Sequence, residues 1–287
     1  MEREKRSLVS ILIPCYNHEK YVGDCLQSIL AQDYPKYEVI ICDDCSKDAS
    51  MEVIRQQEKE FQKKGISMTV MANKENQGLI RNLNRMLKEA KGEYIKIIAS
   101  DDIFCENYLR EMVAVLEKDK KAKFAFSNAI RVKEETTYPV QKQHEIAPLM
   151  EKLPDYKENV LERIFVDNFI PAPTTLFRRS VFEELGEYDE NIGIEDLEMS
   201  LRVLQRYPNG LAASEKCLVY YRVNDNSMSS VVNNAGAKRR MKFMLKNSVA
   251  IAKKYKRAVS RKTYRIRMTN LYVIYWMQRK DMLFQKK

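Results

Sequence analysis

Pairs of acidic residues end two mainly apolar segments of the sequence. Asp43 and Asp44 come directly after the apolar residues 39–42. Asp101 and Asp102 end a similar segment further along the chain. A helix cap needs only one acid, whereas Mg²⁺ and Mn²⁺ prefer carboxylate oxygens when they bind a substrate's phosphates. From the residues alone, a metal–diphosphate site, a nucleobase contact and a solvated turn are all open.

A third acidic pair, Glu195 and Asp196, begins a segment whose leucines have helical spacing. Acids at a helix start can complement the helix dipole, or one of them can act as a general base beside a reacting hydroxyl. Tyr16 follows the first apolar run, where an aromatic ring can stack on a nucleobase. For an isolated tyrosine, packing within the fold is the simpler interpretation.

Apolar runs and amphipathic segments alternate in the first half of the chain. Strands are predicted at 8–14, 37–44, 66–73, 93–102 and 123–130, and helices at 19–32, 49–65, 76–92 and 106–119. This alternation predicts an α/β fold with a mostly parallel central sheet flanked by helices. Ligands of such sheets bind beyond the carboxyl ends of the strands, which is where both strand-end acid pairs lie.

The second half is less regular and ends in a strongly basic segment. Helices are predicted near 158–168 and at 193–207, and a strand at 216–223. Residues 238–287 hold 17 basic residues and one acid, a net charge of +16, although the whole chain carries only +10. We therefore predict a globular domain at 1–236 and a basic helical C-terminal extension at 237–287.

Apolar residues are interspersed among the charges of this extension. They favour a helix lying on an anionic membrane surface, while the alternative is that the apolar side packs on the domain. Nucleic-acid binding is suggested by the charge alone and is not expected. The apolar residues are Met241, Phe243, Met244, Leu245, Val249 and Ile251.

Several classes of protein are disfavoured by motifs that the sequence lacks. It has no GxxxxGK[ST] and no GxGxxG motif, which argues against P-loop and dinucleotide-binding folds. Cys42 and Cys45 form a single CxxC, where a zinc site would need a second, so buried fillers in a reducing cytosol are favoured. No segment approaches the roughly 20 apolar residues of a membrane span. The run at 8–14 is too short for a signal peptide, so we expect a cytoplasmic protein, attached peripherally to the inner face of the cell membrane.

Four blocks, taken in order, resemble family 2 glycosyltransferases over about residues 7–231. The blocks are SILIPCYNHEKYVGDCLQSILAQDYPKYEVIICDDCSKDAS, NQGLIRNLNRMLKEAKGEYIKIIASDD, GIEDLEMSLRV and VYYRVNDNSMS. The resemblance implies the GT-A fold, an inverting reaction and a nucleotide-diphosphate sugar donor. It does not identify the sugar.

The resemblance also assigns residues to the donor. Pro14 and Tyr16 match positions at the nucleobase, and Asn17 beside them is expected to bind the nucleotide. Asp44 matches the acid that hydrogen-bonds the base, usually uracil. Arg81 matches a basic position near the nucleotide.

The remaining assignments concern the metal and the chemistry. Asp101 and Asp102 match the metal-binding motif for Mn²⁺ or Mg²⁺, with Asp102 as the main ligand and Asp101 also near the nucleotide. Asp196 matches the catalytic base, and like-charge repulsion from Glu195 is expected to raise its basicity. The chain departs from the family pattern at Ala99, where many members have Asp, and at Asn224, where many have His.

Together these features predict a metal-dependent inverting glycosyltransferase that moves a hexosyl or N-acetylhexosaminyl group. A UDP-sugar is the expected donor. The acceptor would be a hydroxyl of a saccharide or lipid-linked saccharide in cell-surface polysaccharide or glycolipid synthesis. The alternatives are an inactive sugar-nucleotide-binding or scaffolding protein, and a nucleotidyltransferase. The latter would need a glycine-rich loop after the first strand, where this chain has PCYNHEKY.

Overall fold

The computed structural model describes residues 7–223 and 236–284, with side chains up to residue 276. Its first part alternates strands and helices, as the apolar pattern predicts. The elements are β1 (Val9–Cys15), α1 (Val22–Leu30), β2 (Tyr37–Asp43), α2 (Ser50–Lys63), β3 (Ser67–Ala72), α3 (Leu79–Glu89), β4 (Tyr94–Ile97), β5 (Ile103–Phe104), α4 (Tyr108–Lys118) and β6 (Phe124–Val132).

The second part is mixed, and both of its predicted helices are present as α5 and α7. The strand predicted at 216–223 is present as β9, which begins earlier because its first residues pair with β6. The elements are β7 (Glu145–Pro148), α5 (Val160–Val166), β8 (Leu176–Arg178), α6 (Ser180–Leu185), α7 (Glu195–Arg206), β9 (Leu211–Arg222), α8 (Ala237–Lys254) and α9 (Arg261–Phe284).

The strands form one mixed sheet in the order β3-β2-β1-β4-β8-β6-β9-β5, with β7 paired to β6. The neighbours β3, β2, β1 and β4 are parallel, as is the long β6–β9 pairing, which confirms the predicted α/β class. The strand order departs from the order along the chain at β6. The short strand β8, which the sequence did not indicate, lies antiparallel between β4 and β6.

Both faces of the central sheet are buried. Ile11 and Ile13 of β1 point into one hydrophobic cluster, and Leu12 of the same strand points into the other. Helices cover each face, so successive residues of a strand are all apolar instead of alternating. This is why the apolar runs located the strands correctly.

The segment after β4 leaves the sheet earlier than predicted. The strand ends at Ile97, and the backbone N–H of Asp102 donates to the carbonyl of Ala99 at 3.1 Å. Asp101 and Asp102 therefore lie in a turn beyond the carboxyl end of the strand instead of in the strand itself.

The C-terminal extension is helical, as predicted, and it contacts the rest of the protein. Ile251, Ala252 and Tyr255 of α8 and Leu271 of α9 are buried in the same hydrophobic cluster as α7. This burial corrects the placement of Ile251 among residues that could face a membrane. The predicted domain boundary between residues 236 and 237 stays a prediction. In the structure the extension packs against the rest of the protein.

Other apolar residues of the extension are exposed. Met241, Phe243 and Met244 of α8 are 37–44% exposed, and residues 272–276 of α9 are 42–67% exposed. None of the helices in the described part of the chain is long and apolar enough to cross a membrane.

Candidate active site

The carboxylate of Asp44 lies one residue beyond β2 and holds the segment that leads into α3. Its Oδ1 accepts hydrogen bonds from the backbone N–H of Gln77 (2.7 Å) and the side-chain amide of Asn73 (2.8 Å). Its Oδ2 accepts one from the N–H of Gly78 (2.9 Å). Burial raises the pKa of Asp44, but the hydrogen bonds outweigh it, so the pKa lies below its usual value. Asp44 is therefore ionised, and Oδ2 has the capacity to accept a further donor.

Asn17 fixes the turn after β1. It adopts the left-handed conformation (φ 52°), which asparagine tolerates better than most residues. Its N–H donates to Oγ of Ser46 and its Oδ1 accepts the N–H of Lys47, both at 2.8 Å. Tyr16 beside it is 45% exposed, so its ring is not a core residue, while Pro14 in β1 is half-buried. The turn thus presents the ring of Tyr16 at the carboxyl end of β1.

Asp43 is the more internal member of the first acidic pair. Its Oδ2 accepts the N–H of Ser46 at 3.0 Å. Its Oδ1 is buried and has no hydrogen-bond partner among the residues that the structure describes. Buried polar atoms of this kind are normally satisfied, if not by protein then by water or a ligand. The family resemblance assigns a nucleotide contact to Asp44 but none to Asp43, the residue directly before it.

Cys42 of the CxxC motif does not have the properties of a metal ligand or a redox cysteine. Cys42 is buried, and burial raises the pKa of its thiol to about 11. Metal binding and disulfide exchange both need the thiolate, which this environment disfavours. The alternative that Cys42 is a buried filler is therefore favoured.

The acids after β4 lie in a turn that is anchored to β9 and to the end of β1. Asp102 is 3% exposed, and its Oδ1 accepts the backbone N–H of Arg222 at 3.1 Å. Burial and the charge of Asp101 raise the pKa of Asp102 well above its usual value. Oγ of Ser100 lies 2.8 Å from Nδ1 of His18, so a hydrogen bond ties this turn to the one after β1. His18 was not singled out from the sequence.

Arg222 is a second residue that the sequence analysis missed. Its side chain is 1% exposed, and its Nε donates to the carbonyl of Asp101 at 2.8 Å. Its Nη1 donates to the carbonyls of Glu134 (2.7 Å) and Thr136, and its Nη2 lies 3.4 Å from Oδ2 of Asp24. Arg222 thereby holds the acidic turn against α1 and the segment after β6. A lone charge at the end of the apolar run in KCLVYYR was the available indication.

The chemistry of the acidic turn fits a divalent cation that binds together with a substrate. The described residues include no group of three or more His, Cys, Asp or Glu side chains that could hold a metal ion. Asp101 and Asp102 offer hard carboxylate oxygens, which suit Mg²⁺ or Mn²⁺ when phosphate oxygens complete the coordination. Ala99 contributes only its carbonyl to the turn, and Asn224 lies outside the described residues.

Glu195 and Asp196 are the first two residues of α7, and both are half-buried. Oδ2 of Asp196 accepts a hydrogen bond from the amide of Asn168 at 3.1 Å, and burial raises the pKa of Asp196. Burial and the charge of Asp196 raise the pKa of Glu195 to about 8. At neutral pH the pair therefore shares one negative charge, which the hydrogen bond from Asn168 favours on Asp196. The pKa of Asp196 is thus raised by burial, whereas the like-charge repulsion contributes to the raised pKa of Glu195.

The segment that precedes the acidic pair is held against α3. Nε of Arg81 lies 3.2 Å from Oε2 of Glu190, and both side chains are exposed. The side-chain amide of Asn84 exchanges hydrogen bonds with the backbone of Tyr188, at 3.0 and 2.9 Å. These contacts hold the segment before α7 against the helix whose N-terminus binds Asp44. An exposed ion pair is weak, so Arg81 can exchange Glu190 for another anion.

We expect the free energy of unfolding to fall as pH rises from about 4.5 to about 8, because the folded protein holds the proton of Glu195 more tightly than the unfolded chain does. The pKa of Glu195 is raised from 4.5 to about 8, so in this window the folded chain binds the proton and the unfolded chain releases it. Glu195→Gln should remove this contribution, on the order of a few kcal/mol. Urea unfolding at pH 5 and pH 9 measures it. Glu187→Gln, an exposed acid in the same region, is the control, and an equal pH response of wild type and Glu195→Gln would contradict the assignment.

The fold, a mixed sheet flanked by helices, is that of the GT-A glycosyltransferases. The structure is similar to the crystal structure of Staphylococcus aureus TarS 1–349 in complex with UDP-GlcNAc, with a TM-score of 0.60 at 19% identity, over 85% of this chain and 69% of that one. It is also similar to the mannosyltransferase PcManGT from Pyrobaculum calidifontis in complex with GDP-Man and Mn²⁺. That match has a TM-score of 0.60 at 16% identity and covers 94% of this chain and 81% of the other.

Residues 10–186 match the profile of glycosyl transferase family 2, and the chain belongs to this family. One relative is the putative teichuronic acid biosynthesis glycosyltransferase TuaG of Bacillus subtilis. It is 29% identical over 227 residues, which cover 78% of this chain and 82% of TuaG. The family match includes Asp44, Arg81 and the acidic turn, but it ends before Glu195 and Asp196.

Proposed function

We propose that this glycosyltransferase moves a sugar, with inversion, from a nucleotide-diphosphate donor to an acceptor hydroxyl in the synthesis of a cell-surface polysaccharide or glycolipid. The observation that carries the proposal is the acidic pair of α7. There Asn168 orients the carboxylate of Asp196 beside Glu195, and Asn84 of α3 holds the segment that leads into this pair. The name of TuaG supports the polysaccharide context, and the UDP-GlcNAc held by TarS supports a UDP-sugar donor.

On the donor side, the residues at the ends of β1 and β2 would bind the nucleotide. Tyr16 presents an exposed ring on which a base can stack, and Asn17 and Pro14 shape the turn that carries it. Asp44 is ionised and rigidly held, so its Oδ2 can accept the N–H of a uracil. Arg81 would break its ion pair with Glu190 and bind the nucleotide's phosphates instead.

Asp101 and Asp102 would hold Mg²⁺ or Mn²⁺, as supported by the Mn²⁺ in the complex of PcManGT. When bound, the ion neutralises the charge that develops on the leaving diphosphate. Arg222 keeps both acids in place by binding the Asp101 carbonyl and the Asp102 carboxylate.

Asp196 would accept the proton of the acceptor hydroxyl as that oxygen attacks the anomeric carbon of the sugar. The hydrogen bond from Asn168 orients its carboxylate, and its raised pKa makes it a stronger base than a solvated aspartate. Glu195, being protonated, does not compete for the proton. A single displacement with one base inverts the anomeric configuration.

The proposal is tested by incubating the protein with Mn²⁺ and a panel of nucleotide sugars, and measuring nucleotide diphosphate release. We expect release with one or a few UDP-hexoses or UDP-N-acetylhexosamines. Nucleotide-sugar binding by calorimetry is measured in parallel. Binding without any turnover, with or without saccharide and lipid-linked acceptors, would favour the alternative of an inactive sugar-nucleotide-binding protein.

We further propose that the enzyme acts in the cytoplasm, with the basic extension attached to an anionic membrane surface. The six free cysteines suit a reducing compartment. Residues 272–276 (YVIYW) are exposed, and the exposed basic residues Arg261, Lys262 and Arg265 precede them on α9. Exposed aromatic and aliphatic side chains beside basic ones are typical of helices at a membrane interface.

This proposal predicts salt-sensitive binding to anionic vesicles, because each basic residue near such a surface contributes about 1 kcal/mol and salt screens it. Ile274→Asp should weaken co-sedimentation, since it places a charge where the helix would enter the interface. Ile146→Asp changes another exposed isoleucine, in β7, and is the matched control. Equal binding of both variants to vesicles, or binding that does not depend on the charge of the lipids, would refute the membrane contact.

A further inference from the structure

Gly193 lies two residues before Glu195 and is held by the C-terminal helix α8. Its backbone N–H donates to Oδ1 of Asn247 at 2.7 Å, and Asn247 is only 5% exposed. The amide nitrogen of the same side chain donates to the carbonyl of Phe243 at 2.9 Å. One buried side chain therefore binds both its own helix and the turn that begins α7.

The ring of Phe243 occupies the space that any side chain at position 193 would need. A Cβ on Gly193 would lie 2.2 Å from Cζ and 2.8 Å from Cε2 of this ring. The backbone φ of Gly193 is not in the left-handed region, so the need for glycine comes from this close approach. The contacts of Asn247 and Phe243 with Gly193 are here called the Gly193 clamp.

The clamp is rigid because α8 is also anchored to the middle of α7. The hydroxyl of Tyr255 donates to Oε1 of the buried Glu198 at 2.8 Å. Lys254 places its Nζ 2.7 Å from the same oxygen and 2.7 Å from Oδ2 of Asp189. The two helices therefore touch both at the start of α7 and one turn further on. This fixes Asn247 relative to Glu195 and Asp196.

From these contacts we infer that Asn247 is a positioning residue for the acidic pair, and that the C-terminal extension thereby completes the catalytic site. The inference rests on the proposed function, because it assigns the extension a part in the same proton transfer. Without the clamp, the turn at Gly193 is free to shift, and the carboxylate of Asp196 shifts with it. A misplacement of about 1 Å at a reacting group can lower the rate about 10²-fold.

Asn247→Leu removes both hydrogen bonds while keeping a side chain of similar size. We expect its kcat to fall about 10- to 100-fold, with the KM for donor and the affinity for UDP within about twofold of wild type. The pH profile of kcat should also change, since a shift of the turn at Gly193 alters the surroundings of the acidic pair. Ile251→Val is the matched control, because it weakens the packing of the same helix by roughly 0.5–1.5 kcal/mol and leaves the clamp intact. The control should keep the wild-type kcat and pH profile below its melting temperature.

A second test uses the close contact between Gly193 and Phe243. Gly193→Ala should lower kcat because the new methyl group displaces the ring or the turn. Adding Phe243→Ala should restore kcat to the level of Phe243→Ala alone, because the space is then open. An active wild type whose kcat is unaffected by Asn247→Leu, or a double variant as slow as Gly193→Ala, overturns the clamp alone. A wild type that transfers no sugar from any donor overturns both the clamp and the proposed function.

Discussion

Replacement of Asp196 by asparagine should lower the rate of sugar transfer by about 10²–10⁴-fold, the usual contribution of a general base. The substitution keeps the shape of the side chain, but the amide cannot accept the proton of the acceptor hydroxyl. The amide can still face Asn168, so the start of α7 should keep its structure. Single-turnover transfer with pre-bound donor measures the effect directly.

Donor binding should survive this change, because the nucleotide contacts proposed for Tyr16 and Asp44 are on other elements. Glu187→Gln is the matched control, an exposed acid in the same region whose partner is Lys88 at the surface. If the affinity for donor collapses in Asp196→Asn while bound donor turns over normally, the base has been misassigned.

Replacement of Asp102 by asparagine should lower transfer by about 10³-fold or more, since cation stabilisation of a leaving group is worth several kcal/mol and each 1.36 kcal/mol is about tenfold. Asparagine keeps an oxygen that can accept the N–H of Arg222, so the turn after β4 should be preserved. The variant loses the negative charge that a divalent cation needs. Transfer across a Mn²⁺ titration measures the loss.

Two further measurements separate a metal site from a structural acid. Calorimetric binding of Mn²⁺ in the presence of UDP should be lost in Asp102→Asn and kept in Asp33→Asn, which removes an exposed acid paired with Arg110. The melting temperature of the two variants should be similar to that of the wild type. Full activity in excess chelator, together with an unimpaired Asp102→Asn, would refute the metal assignment.

The sequence predicted those elements of the fold that can be recognised from the residues of one short segment. β1, β2 and β4 are buried on both faces, so their apolar runs identify them without knowledge of the neighbours. β8 could not be recognised in the same way, because three residues carry no periodicity and their pairing depends on β4 and β6. The strand order at this point follows from packing over a long sequence distance.

The same distinction applies to the candidate site. Asp44 and Asp102 could be recognised from the sequence, because each is an acidic residue that follows an apolar run. Arg222, Asn168 and Asn247 were not visible, since each acts through a partner that is far away in sequence. The charge state of Glu195 also depends on burial that no local pattern reports.

The hydrogen bonds of Asp44 have a consequence for how the protein can treat a phosphate. The N-terminus of a helix, with its unpaired backbone N–H groups, is a ready site for an anion. Directly before α3, the N–H groups of Gln77 and Gly78 are already directed at the carboxylate of Asp44, so these two donors serve an anion that belongs to the protein itself. If the proposed donor binds here, its diphosphate would not find these two N–H groups free. Its charge would then have to be balanced by a bound cation or by an arginine such as Arg81.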